Sequence, residues 1–137
     1  MFKLIKIKNG KTNVPELIKV KNGGMIDYTA GCVYYLTEGN VATNKLNDYN
    51  PIFIPVESVK MSEEKFNITG YIVTENMVFE TDMKTEYYLA DVGDAVNFVK
   101  DDDGNNVCVG GEKGNQALLL NVDNARQNGK VLVALKL

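Results

Sequence analysis

Four oxygen-bearing side chains lie close together in this sequence: Asp101, Asp102, Asp103 and Asn105. Clustered carboxylate and amide oxygens are the ligands that a hard cation such as Ca²⁺ prefers. The calcium loop of an EF-hand has its glycine at the sixth position, whereas Gly104 is the fourth residue of this run. The spacing therefore favours a solvated turn over a calcium site.

The absence of histidine excludes most ordinary active sites. Histidine is the commonest general base at neutral pH, and serine–histidine and cysteine–histidine nucleophile pairs depend on it. Gly110–Gly114 lacks the spacing of a phosphate-binding loop. Acidic residues are scattered over turns and tryptophan is absent, so a glycosidase carboxylate pair is not predicted. The sequence predicts a protein that is not an enzyme and has no metal or cofactor.

The two cysteines, Cys32 and Cys108, lie beside valines in strand-like segments. Two cysteines are too few for the disulfide framework of a small secreted domain, and without histidine they do not indicate a zinc site. We predict that both are buried as small apolar side chains. A disulfide or a reactive thiol is the alternative.

Seven tyrosines are many for a chain of 137 residues. Adjacent residues on a strand point to opposite faces of the sheet, so one member of Tyr34/Tyr35 and one of Tyr87/Tyr88 is expected in the core. Its neighbour would lie outside, where tyrosine suits a protein interface because it combines an apolar ring with a hydroxyl. These four tyrosines are therefore candidate surface contacts, with ordinary cross-strand packing on a solvated face as the alternative.

Charge is unevenly distributed along the chain. Residues 1–24 contain six lysines and one acidic residue, Glu16, whereas the remainder carries nine basic and seventeen acidic residues. A basic arm followed by an acidic body suggests that the two parts face different surroundings. Lysines on an edge strand that discourage aggregation are the alternative. Nucleic-acid binding is not predicted, because the tyrosines lie in the acidic part.

The first eight residues alternate between charged and apolar types, unlike the continuous apolar stretch of a signal peptide. No apolar run approaches the roughly 18 residues of a membrane helix. We therefore expect production in a cytoplasm and no membrane partner.

Short strands separated by glycine, asparagine and aspartate turns dominate the pattern. Asn9-Gly10 and Glu75-Asn76 are predicted to connect hairpins. Pro55 predicts an edge position or a bulge, and Ser62 could cap one helical turn. A closing strand pair is preferred to a helix over 115–128. Strands are predicted over 2–8, 17–20, 32–36, 41–43, 52–56, 68–74, 77–81, 87–89, 96–99, 107–109, 117–122 and 131–137.

A strand-turn-strand unit occurs twice, first from Gly31 to Val41 and again from Gly93 to Val107. Hairpins at this spacing, without a long amphipathic helix, predict a mainly β fold: a compact antiparallel β-sandwich or small β-barrel. The predicted organisation is an extended basic N-terminal arm over 1–22, strand-like, and a single β-rich domain over 23–137.

Several short segments, taken in order, carry a resemblance to a known family. They cover 30–33, 39–41, 54–57, 76–80, 92–96 and 129–133. At these segments the chain resembles the small capsid decoration (head-stabilising) proteins of tailed bacteriophages. Its lysine-rich start is longer than that of the shortest members.

The resemblance implies a non-enzymatic virion protein that binds and stabilises the outside of a capsid. The implied partners are the major capsid protein and two further copies of the chain in a homo-trimer. A basic strand could add to an exposed capsid sheet edge, with lysines meeting an acidic shell. The expected apolar anchors are Phe2, Leu4, Ile5 and Ile7, and the expected charges are Lys3, Lys6 and Lys8.

The competing hypothesis is a carbohydrate- or receptor-binding β-module. Exposed tyrosines and the loop Asp101–Asn106 would then form its binding site.

Overall fold

The computed structural model describes residues 1–8, 14–24, 26–44, 50–84, 91–99, 108–121 and 129–135. Among these residues the fold is mainly β, as predicted, with one short 3-10 turn at Met61–Glu63. In this part of the chain no helix is long and apolar enough to cross a membrane. The strands are β1 (Lys3–Ile7), β2 (Ile18–Asn22), β3 (Tyr34–Thr37), β4 (Val41–Thr43), β5 (Ile52–Pro55), β6 (Asn67–Ile72), β7 (Met77–Met83), β8 (Ala95–Val99), β9 (Cys108–Lys113), β10 (Ala117–Asn121) and β11 (Lys130–Leu135).

The chain divides into two compact units. One unit is Pro15–Val73, in which β2 to β6 form a closed barrel with the strand order β2-β4-β3-β5-β6. We call it the first barrel. Its β2–β4 pairing is parallel, and its other four pairings are antiparallel.

The other unit combines Met1–Val14 with Thr74–Leu137. It contains a six-stranded sheet with the order β1-β7-β11-β10-β8-β9 and an additional parallel β7–β9 pairing. The β7–β9 pairing closes the five strands β7, β8, β9, β10 and β11 into a ring, which we call the second barrel. The first strand, β1, lies outside the ring, and among the described residues it pairs only with β7.

The two barrels have the same topology. If β2 to β6 are replaced in order by β7 to β11, every pairing and its direction is reproduced. In each barrel the first strand pairs with the fifth in antiparallel and with the third in parallel. The hairpin repeat in the sequence, β3–β4 and β8–β9, is thus part of a duplicated five-stranded fold.

Equivalent backbone hydrogen bonds show that the register matches as well. The N–H of Asn22 donates to the carbonyl of Phe66 at 2.8 Å, and that of Met83 to the carbonyl of Gly129 at 2.7 Å. These pairs follow from Lys21 opposite Asn67 and Asp82 opposite Lys130.

The glycines that open the two hairpins are equivalent too. Gly31 and Gly93 have φ of 78° and 91°, a left-handed conformation that glycine adopts without steric cost. The N–H of Gly31 donates to Pro55 at 3.0 Å, and that of Gly93 to Leu119 at 2.9 Å. A backbone requirement therefore explains why the sequence repeats these glycines.

The cores of the two barrels are filled differently at equivalent positions. In the first barrel the Phe53 ring lies over Gly70, and a Cβ on Gly70 would meet that ring at 2.5 Å and the Ile54 carbonyl oxygen more closely still. By register the equivalent residues of the second barrel are Ala117 and Val133, both fully buried. The large Phe53 of the first barrel is thus replaced by the small Ala117 in the second, and Gly70 is replaced by the larger Val133.

Two predicted hairpins are wrong. In the described part of the chain β1 does not pair with β2; β1 pairs with β7, while β2 pairs with β4 and β6. Nor does β6 pair with β7, because β2 and β5 already occupy both edges of β6. Asn9-Gly10 lies outside the described residues. A separate N-terminal arm is not confirmed, because the strands predicted within residues 1–22 belong to two different units.

Local predictions have mixed outcomes. The hairpins β3–β4 and β8–β9 and the closing pair β10–β11 are confirmed. Pro55 is not on an edge strand, because β5 pairs on both sides; the proline is simply its last residue. The 3-10 turn begins after Lys60, whose N–H donates to the side chain of Glu63 at 3.3 Å, so Ser62 is not the cap.

The core substitution between the barrels generates a test. Gly70→Val is expected to lower the free energy of unfolding by about 1–3 kcal/mol, because it overpacks the Phe53 ring. Phe53→Ala alone leaves a cavity and costs about 3–5 kcal/mol. The double variant places the Ala117–Val133 combination in the first barrel and removes the contact with the ring but not that with the Ile54 carbonyl, so its loss should be about 0.5–3 kcal/mol smaller than the sum without being abolished. Urea unfolding measures all three, and strict additivity would contradict the proposed complementarity.

Candidate interaction surface

The first strand is held to its own unit along its length. Lys3 lies opposite Glu80, and a bulge around Ile5 shifts the register before Lys6 lies opposite Val78. Beyond the strand, the N–H of Lys8 donates to the Asn76 carbonyl at 2.8 Å. The Asn76 side-chain amide returns a bond to the Lys8 carbonyl at 3.0 Å. This segment is therefore an edge strand of a sheet.

Phe2 anchors that strand within the core. It is 3% exposed, and its ring packs edge-on against Phe79 at 6.2 Å and Phe98 at 5.2 Å between centroids. Such edge-to-face pairs are favourable beyond the area that they bury. Phe2 is thus committed to its own unit and is not presented to a partner.

The remaining residues of the predicted arm divide by exposure. Leu4 and Ile7 are half-buried, and Ile5 is 37% exposed. The exposed charges on this edge are Lys3, Lys6 and Lys8. The surface of β1 is therefore basic, with one apolar residue at the bulge.

The expectation of an exposed member in the pair Tyr34/Tyr35 is not met, since both are buried. The Tyr34 ring packs against Tyr28 with centroids 4.9 Å apart. Its hydroxyl accepts the N–H of Thr29 at 2.8 Å and donates to the Asp27 carbonyl at 3.3 Å. The segment before β3 thus covers this face. Tyr87 and Tyr88 lie outside the described residues.

Tyr28 makes a similar connection deeper in the first barrel. Its hydroxyl donates to the Ala42 carbonyl at 2.7 Å and accepts the N–H of Gly23 at 2.8 Å. Burial raises the pKa of Tyr28 and of Tyr34, and the N–H bonds that they accept partly offset that rise. Both phenols are structural hydrogen-bonding groups in this barrel.

One half-buried carboxylate, that of Glu57, joins β6 to the preceding loop. Glu57 pairs with Lys65 at 2.8 Å and accepts the N–H of Thr69 at 3.0 Å. The Lys65 bond, followed by the Thr69 bond, lowers the pKa of Glu57. The contact is solvent-screened, so its contribution to stability is small.

The features that would support chemistry are not assembled in the described part of the chain. There, no three carboxylate or thiol side chains come together as metal ligands. Asp101, Asp102, Asp103 and Asn105 lie outside that part, and so does the side chain of Cys108. Cys32 is buried, as predicted.

A second edge was not recognised as a surface in the sequence. A strand was predicted over 17–20, but the sequence did not indicate that one edge of this strand lacks a pairing partner over part of its length. Leu17 is 51% exposed, and Glu16 and Lys19 are also exposed. Pro15 just before them was the available signal, because proline is tolerated at sheet edges.

Comparisons with models of protein families, with curated proteins and with solved structures found no match to this chain.

The burial of Phe2 predicts that the first strand is needed for folding. Phe2→Ala should lower the free energy of unfolding by about 3–5 kcal/mol, as for other buried phenylalanines. Lys6→Ala on the same strand should cost no more than about 0.5 kcal/mol. Thermal and urea unfolding measure the difference. Equal stability of the two variants would contradict the anchoring role.

The buried Tyr71 predicts a stability loss in alkali. Burial raises its pKa from 10.0 to about 12, so the unfolded chain releases this proton first. Stability should be unaffected below pH 10 and fall as pH rises from 10 to 12, by at most about 1.4 kcal/mol per pH unit. Tyr71→Phe should flatten the profile in urea titrations, and an unchanged profile would contradict this origin.

Proposed function

We propose that this chain is a non-enzymatic structural protein of a virion, which binds and stabilises the outside of a bacteriophage capsid. The observation that supports the proposal is the one-sided pairing of β1, which leaves a basic sheet edge on a chain with net charge −3. The resemblance of the short segments to capsid decoration proteins supports the same role.

The edge offers a physical mode of attachment. Because β1 pairs with β7 alone, alternate backbone groups of the strand are directed away from β7. An extended capsid segment can hydrogen-bond to such groups, while Lys3, Lys6 and Lys8 attract an acidic shell. Binding of this kind weakens as salt rises.

The alternative role of glycan or receptor recognition has less support. Two of its expected contacts, Tyr34 and Tyr35, are buried. Its expected loop, Asp101–Asn106, lies outside the described residues.

Co-sedimentation with capsids tests the attachment. The capsids are empty shells of a tailed bacteriophage, prepared without a decoration protein. Lys6→Glu should weaken binding, by up to about fivefold for the lost attraction of up to about 1 kcal/mol and further for the repulsion that replaces it. Lys60→Glu, an equal charge change far along the sequence at the 3-10 turn, is the matched control. Absence of binding by the unaltered chain, or equal losses for both variants, would overturn the proposal.

The oligomeric state is part of the proposal. The resemblance to decoration proteins supports a homo-trimer, and such proteins can assemble on the shell itself. Mass photometry of the free chain and counting of copies on decorated capsids should both be examined. Copies present in threes at the capsid's local symmetry axes are expected, and single isolated copies there would contradict the trimer.

A further inference from the structure

One edge of β2 is open where the corresponding edge of β7 is filled. On one side of β2, the N–H of Asn22 bonds to β6's preceding residue, Phe66, at 2.8 Å. On the other side, the N–H of Lys21 bonds to Asn40 at 2.8 Å. Backbone groups alternate in direction along a strand, so those of Leu17 and Lys19 share the side of Lys21.

On that side β4 reaches only the end of β2. The parallel pairing consists of Lys21 opposite Val41 and Asn22 opposite Ala42. Among the described residues no strand pairs with this side of Leu17 or Lys19. Their outward backbone groups therefore remain available to water or to another strand.

In the second barrel the same positions carry β1. By register Lys19 is equivalent to Glu80 and Ile18 to Phe79, and continuing both segments one residue towards the N-terminus matches Leu17, just before β2, with Val78. Glu80 lies opposite Lys3, and Val78 lies opposite Lys6. The fold itself thus shows that this edge can accept a strand in antiparallel.

The burial of equivalent side chains shows what the added strand covers. Val78 is 5% exposed and Phe79 is fully buried. Their counterparts on β2 are more open, since Leu17 is 51% exposed and Ile18 is only half-buried. An apolar position that is covered in one barrel is uncovered in the other.

Charge distinguishes the two edges. On the β7 edge Glu80 lies opposite Lys3 in the strand register, whereas the β2 edge has Lys19 at the position of Glu80. A like-charged residue directly opposite is destabilising, and an opposite charge is favourable. The β1 strand of a second copy would place Lys3 against Lys19, so it is the wrong occupant.

We propose that the Leu17–Lys19 edge of β2 is a docking site for an extended acidic segment of a partner protein. The segment binds as an antiparallel strand, with a carboxylate opposite Lys19 and an apolar residue opposite Ile18. Counting back from the paired residues, Pro15 corresponds to Asn76, which directly precedes β7, and the Pro15 carbonyl can accept a partner N–H as the Asn76 carbonyl accepts that of Lys8. This inference follows from the duplicated fold and does not depend on the capsid role.

The test uses two octapeptides and the full chain. One has the chain's own first eight residues, MFKLIKIK, and the other has glutamate in place of the three lysines, MFELIEIE. The acidic peptide should bind more tightly, by up to about fivefold for the pair opposite Lys19, since one cross-strand charge pair contributes up to about 1 kcal/mol. Amide hydrogen exchange should show protection at Leu17 and Lys19. Fluorescence polarisation measures the affinities.

Charge reversal at the site sharpens the test. Lys19→Glu should reverse the preference, so that the lysine peptide binds more tightly than the acidic one. Lys60→Glu should leave the preference unchanged. Circular dichroism and thermal unfolding of both variants check that the fold is retained.

Three results would overturn the proposal. One is equal binding of both peptides at low salt. Another is protection outside β2 only. The third is protection of Leu17 and Lys19 without peptide that rises with chain concentration in parallel with dimer formation, because the occupant would then be a second copy. The peptide measurements involve no capsid, so their failure is separate from failure of the capsid role.

Discussion

Closure of each five-stranded ring depends on its first strand, β2 or β7, which pairs on both sides. One side runs antiparallel to the fifth strand, and the other runs parallel to the third strand over the last residues alone. The rest of that second side must find water or another strand, because unpaired backbone groups are costly to bury. The geometry that closes the ring thereby creates both the site occupied by β1 and the open edge of β2.

The duplicated frame tolerates different core residues because the total volume of the core matters more than the identity of each side chain. Phe53 over Gly70 and the pair Ala117 with Val133 are two solutions to the same space. Such exchanges hide a repeat from residue-by-residue inspection. The left-handed glycines at Gly31 and Gly93 stay visible, since a backbone conformation leaves few alternatives.

The surface differs between the two barrels in charge at equivalent positions. Lys3 lies opposite Glu80 in the register of the filled edge, while Lys19 is exposed on the open one. The phenols of Tyr28 and Tyr34 make hydrogen bonds that hold the segment before β3 against the first barrel. In the described part of the chain, the features suited to binding a partner are the open strand edges. The charged residues along each edge would determine which partner strand it binds.

Much of the local structure was predictable from the sequence by itself. Alternating apolar residues and glycine turns are local signals, so β3–β4, β8–β9 and β10–β11 and the burial of Cys32 were predicted correctly. Only the tertiary structure decided which strands pair across the chain. The short Glu75-Asn76 connection was consistent with a hairpin, but β6 had no free edge left for β7. The pair Tyr34/Tyr35 and Phe2 were misjudged for a related reason. Alternation along a strand assigns a side chain to a face, but the exposure of that face depends on distant segments that cover it. Strand pairing and burial are non-local, and they become fixed only when every edge and face competes for partners in the folded chain.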